Sequence, residues 1–298
     1  MADQAKFLAD IQNADKDVRF AAWRSAGEQD AAVLPELARV AGDAQPGVRK
    51  AALEAMSTLT HSVGKSAGAT AAEVSKQLMA VASSAKFVNP VRTHALRLLS
   101  LIGGDEAVAP ASKLLADADL REEAIFCLER IPGDASAQAI TAAYATAPAE
   151  FKGRVLAALG HRRIESGVPH TVAAMRSADK ELSLSGLRAY GRIGKKPATP
   201  VTLPAMTGLS GWQTIEYQDS RLRYADAQAA AGNTAEAMAV YKLTLARPEE
   251  HLQCAALIGI GKIGTPEAAA TIHPLLKSPS RKVRITAGQV WIRMAASM

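Results

Sequence analysis

The sequence predicts an all-α fold, a right-handed α-solenoid of about nine helical pairs. Three observations carry that expectation. A short helical phrase recurs along the chain at near-constant spacing. Runs of β-branched residues with period two are absent. Aromatic residues make up 4% of the chain against a hydrophobic content of 48%, so Ala, Leu, Val and Ile must pack helices closely.

The phrase opens on an apolar residue, often followed by Arg or Lys, with small or apolar residues at offsets +4, +5 and +8. It reads Val18-Arg19…Ala22-Trp23…Ala26, then Val48-Arg49…Ala52-Leu53…Met56, then Val91-Arg92…Ala95-Leu96…Leu99. It continues at Leu120-Arg121, Phe151-Lys152 and Leu182-Ser183, blurs near Ser220-Arg221, and returns at Leu252-Gln253 and Val283-Arg284. Most steps are 29 to 32 residues, and Val48 to Val91 is 43. At about 100° per residue the four offsets share one face, the buried stripe of the second helix in each pair. First helices carry their own stripes, such as Val33, Leu34, Leu37 and Val40, or Val74, Leu78, Met79 and Val81.

Punctuation agrees with this reading. Gly27, Gly103-Gly104, Gly160, Gly194 and Gly264 follow second helices, where a left-handed cap favours glycine. Asp17, Pro46, Asn89-Pro90, Asp119 and Pro279-Ser280 stand where second helices start. Residues 1–298 therefore read as a single repeat array with two interruptions. A Gly/Ser/Thr-rich loop inserts at about 60–71, and prolines 197, 200 and 204 make the seventh pair, about 195–232, irregular.

Composition narrows the function. A net charge of +6, from 35 basic and 29 acidic residues spread along the chain, permits an anionic partner without requiring one. Cys127 and Cys254 sit far apart at apolar helical positions and read as buried reduced thiols. No apolar stretch is long enough to span a membrane and no signal peptide opens the chain, so the cytoplasm is the default compartment.

The phrase with its trailing glycine, as in Leu187-Arg188-Ala189-Tyr190-Gly191-Arg192-Ile193-Gly194 and Leu257-Ile258-Gly259-Ile260-Gly261-Lys262-Ile263-Gly264, resembles the short HEAT-like repeat of the bilin-lyase type. Residues 224–248 resemble instead one tetratricopeptide unit, through Ala225, Gly232-Asn233, Ala237, Tyr241 and Pro248. The first resemblance implies a scaffold or binding module. It also implies that Arg19, Arg49, Arg92, Arg121 and Arg284 form a ladder with acidic residues such as Asp17, Asp117 and Asp119, broken at Ser183 and Gln253.

Catalytic routes known among HEAT-like relatives find little material. Deoxyhypusine hydroxylases hold iron with His-Glu dipeptides, yet none of the six histidines is followed by Glu. HEAT-like DNA glycosylases gather tryptophans on a basic face, whereas Trp23, Trp212 and Trp291 are scattered. No nucleophile elbow, phosphate loop or dinucleotide fingerprint occurs. The expectation is a non-enzymatic scaffold without cofactor or metal that binds another protein or peptide on its concave second-helix surface.

Offsets +2 and +6 should be the most exposed on that surface. They nominate an apolar strip of Phe126, Leu184, Ile258 and Ile285, flanked by Arg188 and Arg192. The alternatives are nucleic-acid binding on a basic face of Arg19, Arg24, Arg49, Arg92 and Arg97, or a lyase or modification accessory role. The densest cationic spot is His161-Arg162-Arg163, read as solvated turn charges or an edge for an acidic partner. The apolar final helix, with Ile285, Val290, Trp291 and Ile292, suggests a homodimer contact.

Overall fold

A computed structural model describes residues 3–42, 45–63, 70–195, 201–205 and 207–296. Among these residues the secondary structure is helical throughout, with seventeen α-helices and four short 3-10 turns. The chain divides into two compact units, Met1–Ala147 and Pro148–Met298.

The N-terminal unit holds α1 (Gln4–Ile11), α2 (Lys16–Arg24), α3 (Leu34–Val40), α4 (Pro46–Ser62), α5 (Ala71–Ser83), α6 (Asn89–Ile102), α7 (Asp105–Leu114), α8 (Arg121–Arg130) and α9 (Asp134–Thr146). Second helices pack on their successors, α2 on α4 and α6 on α8, while first helices form a parallel layer, α3 on α5 and α5 on α7. This is the stacking of an α-solenoid. The C-terminal unit holds α10 (Ala149–His161), α11 (Val168–Met175), α12 (Lys180–Ile193), α13 (Gly211–Ala230), α14 (Thr234–Leu245), α15 (Glu250–Ile263), α16 (Pro266–Ile272) and α17 (Arg281–Ala295). There α10, α12, α13, α15 and α17 pack in sequence as the second-helix layer.

The phrase is the core, as expected. Val91, Ala95, Leu96 and Leu99, like Leu252, Ala256, Leu257 and Ile260, are all buried. Start signals shift slightly: Asp15, not Asp17, caps α2, whereas Ser280 caps α17 as expected. Gly194 and Gly264 are left-handed caps with φ of 69° and 68°. Gly160 is not a cap. It lies inside α10, where a Cβ would stand 2.9 Å from Ala189 Cα, so its role is close approach to α12.

Of the loop expected at about 60–71, residues 64–69 lie outside the described residues. Residues 60–62 extend α4, and Thr70 with Glu73 forms a capping box on α5. Of the irregular seventh pair, residues 196–200 and 206 lie outside them. No first helix occurs in the described part of 195–210; residues 201–205 have no regular secondary structure, and the Pro204 carbonyl accepts from the Tyr217 hydroxyl at 2.7 Å. The second helix of this pair runs for 20 residues as α13.

The column that follows the opening apolar residue is a correction. At Arg19, Arg92, Ser183, Gln253 and Arg284 its partners are backbone carbonyls at the end of the preceding helix or turn, groups that helix geometry leaves without donors. Arg19 Nη1 donates to the carbonyls of Asn13 and Ala14 at 2.5 and 2.8 Å, and Arg284 Nη1 to that of Ser278 at 2.5 Å. Arg92 Nε donates to Ala82 O at 2.9 Å, while its Nη1 meets Asn89 and, at 3.5 Å, Asp117. The two copies without Arg keep the latch: Gln253 Nε2 reaches Arg247 O at 2.6 Å and Ser183 Oγ reaches Met175 O at 2.8 Å. A carbonyl is present in every copy whatever its side chains, so Gln and Ser can replace Arg where an acid ladder could not.

Two outcomes are expected from unfolding measurements on the whole chain. Gln253→Ala should lower stability by about 1 kcal/mol, and Gln253→Arg should restore it by reaching the same carbonyl. Gly191→Ala would put a Cβ 2.4 Å from Ser220 O, costing about 1–3 kcal/mol. Gly288→Ala, whose Cβ meets nothing within 4 Å, should instead gain about 0.5–1 kcal/mol from helix propensity.

Candidate functional site

The second-helix layer of the C-terminal unit carries two clefts with basic edges. The first, about 510 Å³, is lined by Gly160, His161 and Arg163 at the end of α10, Gly191, Arg192 and Ile193 at the end of α12, and Arg223, Asp226 and Ala227 on α13. It exists because glycines let these helix ends converge, Gly160 on Ala189 and Gly191 on Ser220. The second, about 340 Å³, lies between α15 and α17, with Ile258, Gly261, Val290 and Met294 on its walls and Lys262 and Arg293 at its rim. Gly261 allows it, since a Cβ there would meet Val290 Cγ1 at 2.1 Å.

Three cations of these clefts differ from most others on the molecule. Arg97 is paired with Glu123, Arg188 with Glu216, Lys195 with Glu165, Lys242 with Glu267 and Arg247 with Glu249. The side chains of Arg163, Arg192 and Lys262 have no hydrogen-bond or ion-pair partner among the described residues. Arg223 is held by Asp219 at 2.6 Å, a hydrogen bond that raises its pKa, but both groups are half exposed and such a pair is weak.

Arg163 has a second peculiarity. The end of α10 is a Schellman turn, with Ile164 N bonded to Leu159 O and Arg163 N to Gly160 O. The left-handed position of that turn normally holds glycine, yet here Arg163 occupies it with φ of 52°, the one described non-glycine residue with positive φ. The backbone accepts strain to place a guanidinium at the cleft.

Behind the first cleft lies a buried phenol network. Tyr190 and Tyr224 stack with centroids 4.7 Å apart. The Tyr190 hydroxyl donates to that of Tyr224 at 3.2 Å, which in turn donates to Glu236 Oε1. Tyr241, packed over Gly259, donates to Asp226 Oδ1 at 2.6 Å. Burial first, and the carboxylate partner second, push the Tyr224 and Tyr241 phenols well above the usual tyrosine range. They remain donors, and Tyr241 fixes Asp226 at the edge of the cleft.

The expected apolar strip does not assemble. Leu184 is 1% exposed. It belongs to a seam on α12 with Glu181, Arg188 and Gly191, and α13 lies along that seam: Glu181 bonds Gln213, Arg188 pairs with Glu216 and Gly191 abuts Ser220. Arg188 is therefore a packing ion pair. Arg192 lines the first cleft, and Ile258, 43% exposed, lines the second. Ile285 is 48% exposed on α17. Phe126, on α8 of the N-terminal unit, is partly exposed with Arg130 stacked over its ring at 5.5 Å. Offset +10, which sequence reading passed over, collects His161, Arg192, Lys262 and Arg293.

The alternative basic face also disperses. Arg19 and Arg92 are latched to carbonyls and Arg97 to Glu123, whose hydrogen bond raises the Arg97 pKa. Arg24 lies over the Phe20 ring at 5.5 Å. Arg49 borders a cleft of about 330 Å³ between α4 and α6 with Lys50, Leu53, Glu54, Ser57 and His94. There His94 Nε2 contacts the Leu53 carbonyl and the Ser57 hydroxyl at 3.2 Å each. Burial holds this imidazole below its ordinary pKa, aided by Arg97 and opposed by the Leu53 bond and Glu54.

Cys127 is fully buried, its thiol pushed up to about 12, while Cys254 Sγ accepts from Thr286 at 3.3 Å. Among the described residues, no three or more His, Cys, Asp or Glu side chains group as metal ligands, and no helix is long and apolar enough to cross a membrane.

Comparison with known proteins bears on the repeat. Residues 252–278, which run from α15 to the end of the 3-10 turn after α16, match the PBS lyase HEAT-like repeat. The chain thus contains a HEAT-like repeat where the second cleft has one wall. No curated protein matches the sequence. Among solved structures, it is similar to human deoxyhypusine hydroxylase in complex with glycerol, at 14% identity and a TM-score of 0.34, covering 90% of this chain and 97% of that one. It is similar to an engineered protein at 16% identity and a TM-score of 0.21, covering 99% and 98%. A third, Kap121p bound to RanGTP, gives 12% identity and a TM-score of 0.45, with 98% of this chain spanning 40% of that one.

The His94 environment sets a pH dependence. An unfolded imidazole near the ordinary 6.5 takes up a proton that the folded one resists. The unfolded state therefore binds more protons, and this contribution to stability is lost as pH falls below about 6.5. Unfolding midpoints between about pH 7.5 and 5.0 should fall less steeply for His94→Gln than for the wild type.

Proposed function

We propose that this chain is a non-enzymatic protein-interaction scaffold that receives its partner on the second-helix face of the C-terminal unit. The observation that supports the reading most is the set of cations with no ion-pair partner among the described residues, Arg163, Arg192 and Lys262, beside clefts whose walls include the exposed Ile258. Exposed charge next to apolar wall is the composition of a recognition surface. The latch residues, by contrast, are occupied in holding the fold together. Deoxyhypusine hydroxylase chemistry finds no His-Glu dipeptide in this sequence, which favours binding over catalysis. Nucleic-acid binding is the weaker reading, because Arg19 and Arg92 are latched to carbonyls, Arg97 is paired with Glu123, Arg24 lies over Phe20, and no Phe, Tyr or Trp lines either C-terminal cleft.

Affinity capture with the wild-type chain and with an Arg192→Glu/Lys262→Glu double variant tests the proposal. At least one protein should be retained in stoichiometric amount by the wild type, lost from the variant, and unchanged in intact mass after incubation. An identical set of captured proteins on both would overturn it, as would a chemical change in the captured partner.

A further inference from the structure

We infer that this chain associates head to tail with a second copy of itself, the outer edge of α17 on one molecule packing against the upstream edge of α2 on the next. None of the residues at this joint lines either C-terminal cleft. The register in which second helices meet defines the two edges. Counted from the opening apolar residue of the phrase, offsets +2 and +9 of one helix face offsets +3 and +7 of its successor. Between α10 and α12, a Cβ on Gly153 would lie 3.4 Å from Ser185 Oγ, and one on Gly160 would lie 2.9 Å from Ala189 Cα. Between α15 and α17, Cys254 Sγ accepts from the Thr286 hydroxyl at 3.3 Å and Gly261 abuts Val290.

Only half of this pattern is used on α17. Its Thr286 and Val290 are taken by α15, and Trp291 lies near His273 with ring centroids 5.4 Å apart. Its own +2 and +9 residues, Ile285 and Ile292, are 48% and 70% exposed. Other second helices carry Gly160, Gly191 and Gly261 at +9, and none of these is exposed. Seven residues apart, the two isoleucines share one side of the helix. Gly288 between them leaves that side open, since a Cβ there would meet nothing within 4 Å.

The complementary half is open on α2. Its +3 residue, Ala21, is exposed and its +7 residue, Ser25, is half-buried. On α4, against which α2 packs, the same offsets are Ala51 and Ala55, and both are buried. Isoleucine against Ala and Ser repeats the fit of large against small made by Val290 and Gly261. Charge agrees with this continuation of the layer. Where second helices start, offset −2 bonds the successor at −3 or −1: Asn89 Nδ2 donates to Asp119 Oδ2 at 2.7 Å, and Glu250 accepts from Ser280 and pairs with Lys282 at 3.9 Å. On α17 the −2 residue is Arg281, and on α2 the −3 and −1 residues are Asp15 and Asp17, all three exposed. Pairing α17 with α17 would instead oppose like charges, because that helix carries four cations and no acid. A joint between two different edges leaves one edge of each kind free, so association continues beyond a dimer.

Sedimentation velocity on the 298-residue chain over a wide range of concentration tests the inference. The wild type should pass from monomer to species larger than a dimer. Ile292→Glu and Ala21→Glu should each weaken association at least about tenfold, because each buries an unpaired charge at the joint. Both side chains are exposed in the single molecule, so both variants should keep the wild-type melting temperature. An equimolar mixture of the two should form a one-to-one dimer and stop there, since only one complementary pair of edges survives. Arg281→Glu should weaken association, and Asp17→Lys in the same chain should restore it. The Arg192→Glu/Lys262→Glu variant should associate like the wild type. A wild type that stays monomeric at every concentration overturns the inference, as does a mixture that stays monomeric. An Ala21→Glu dimer as stable as the wild-type assembly also overturns it, because α17 would then pair with itself. Partner capture is read separately, so the scaffold reading and this joint can each fail without the other.

Discussion

Five second helices in this chain, α2, α6, α12, α15 and α17, begin just after a helix or turn whose last carbonyls have no donor within their own element. Closing those carbonyls is the interaction on which the stacking depends. A side chain one residue into the phrase reaches back to them: Arg19 to Asn13, Arg92 to Ala82, Ser183 to Met175, Gln253 to Arg247 and Arg284 to Ser278. The bond spans six to ten residues of sequence and ties each of these second helices to the turn before it. It also explains tolerance within the column, because the requirement is a donor of suitable reach rather than a positive charge. Where the donor is the short Ser183, α12 is drawn close to α11, and Gly186 is needed because a Cβ would stand 2.8 Å from Thr171 O.

Packing in the C-terminal unit follows from how this layer is spaced. Glycines at 160, 186, 191, 259 and 261 remove side chains where helices converge. Tyrosines 190, 224 and 241 then fill the volume around the seventh pair, where no first helix occurs among the described residues. Buried phenols need acceptors, and Glu236 and Asp226 supply them. One of those acceptors forms the acidic edge of the first cleft, so a repair of the fold also shapes the surface that would recognise a partner.

The candidate site was only partly legible in the sequence. Arg192 and Ile258 were nominated and do line clefts, and His161-Arg162-Arg163 was visible as a cationic spot. Leu184 and Arg188 were misplaced because exposure was read from helical phase alone. The phase is right for a helix whose side is open, but α13 covers that side of α12 through Glu181, Arg188 and Gly191. The strain at Arg163 had no signal in sequence, since any residue can be written after a helix end and only backbone dihedrals show which one turns left-handed.

By itself the sequence determined the helical class, the repeat and the buried columns, because helical phase and apolar spacing are local properties written in consecutive residues. It determined that offset +1 carries a polar side chain, but not what that side chain would bond. Tertiary structure decided that the bond goes to carbonyls, that glycines 160 and 191 serve approach rather than capping, and that three cations stand beside two clefts with no ion-pair partner among the described residues. Those outcomes depend on distances between segments tens of residues apart, and such distances are fixed only when the helices pack.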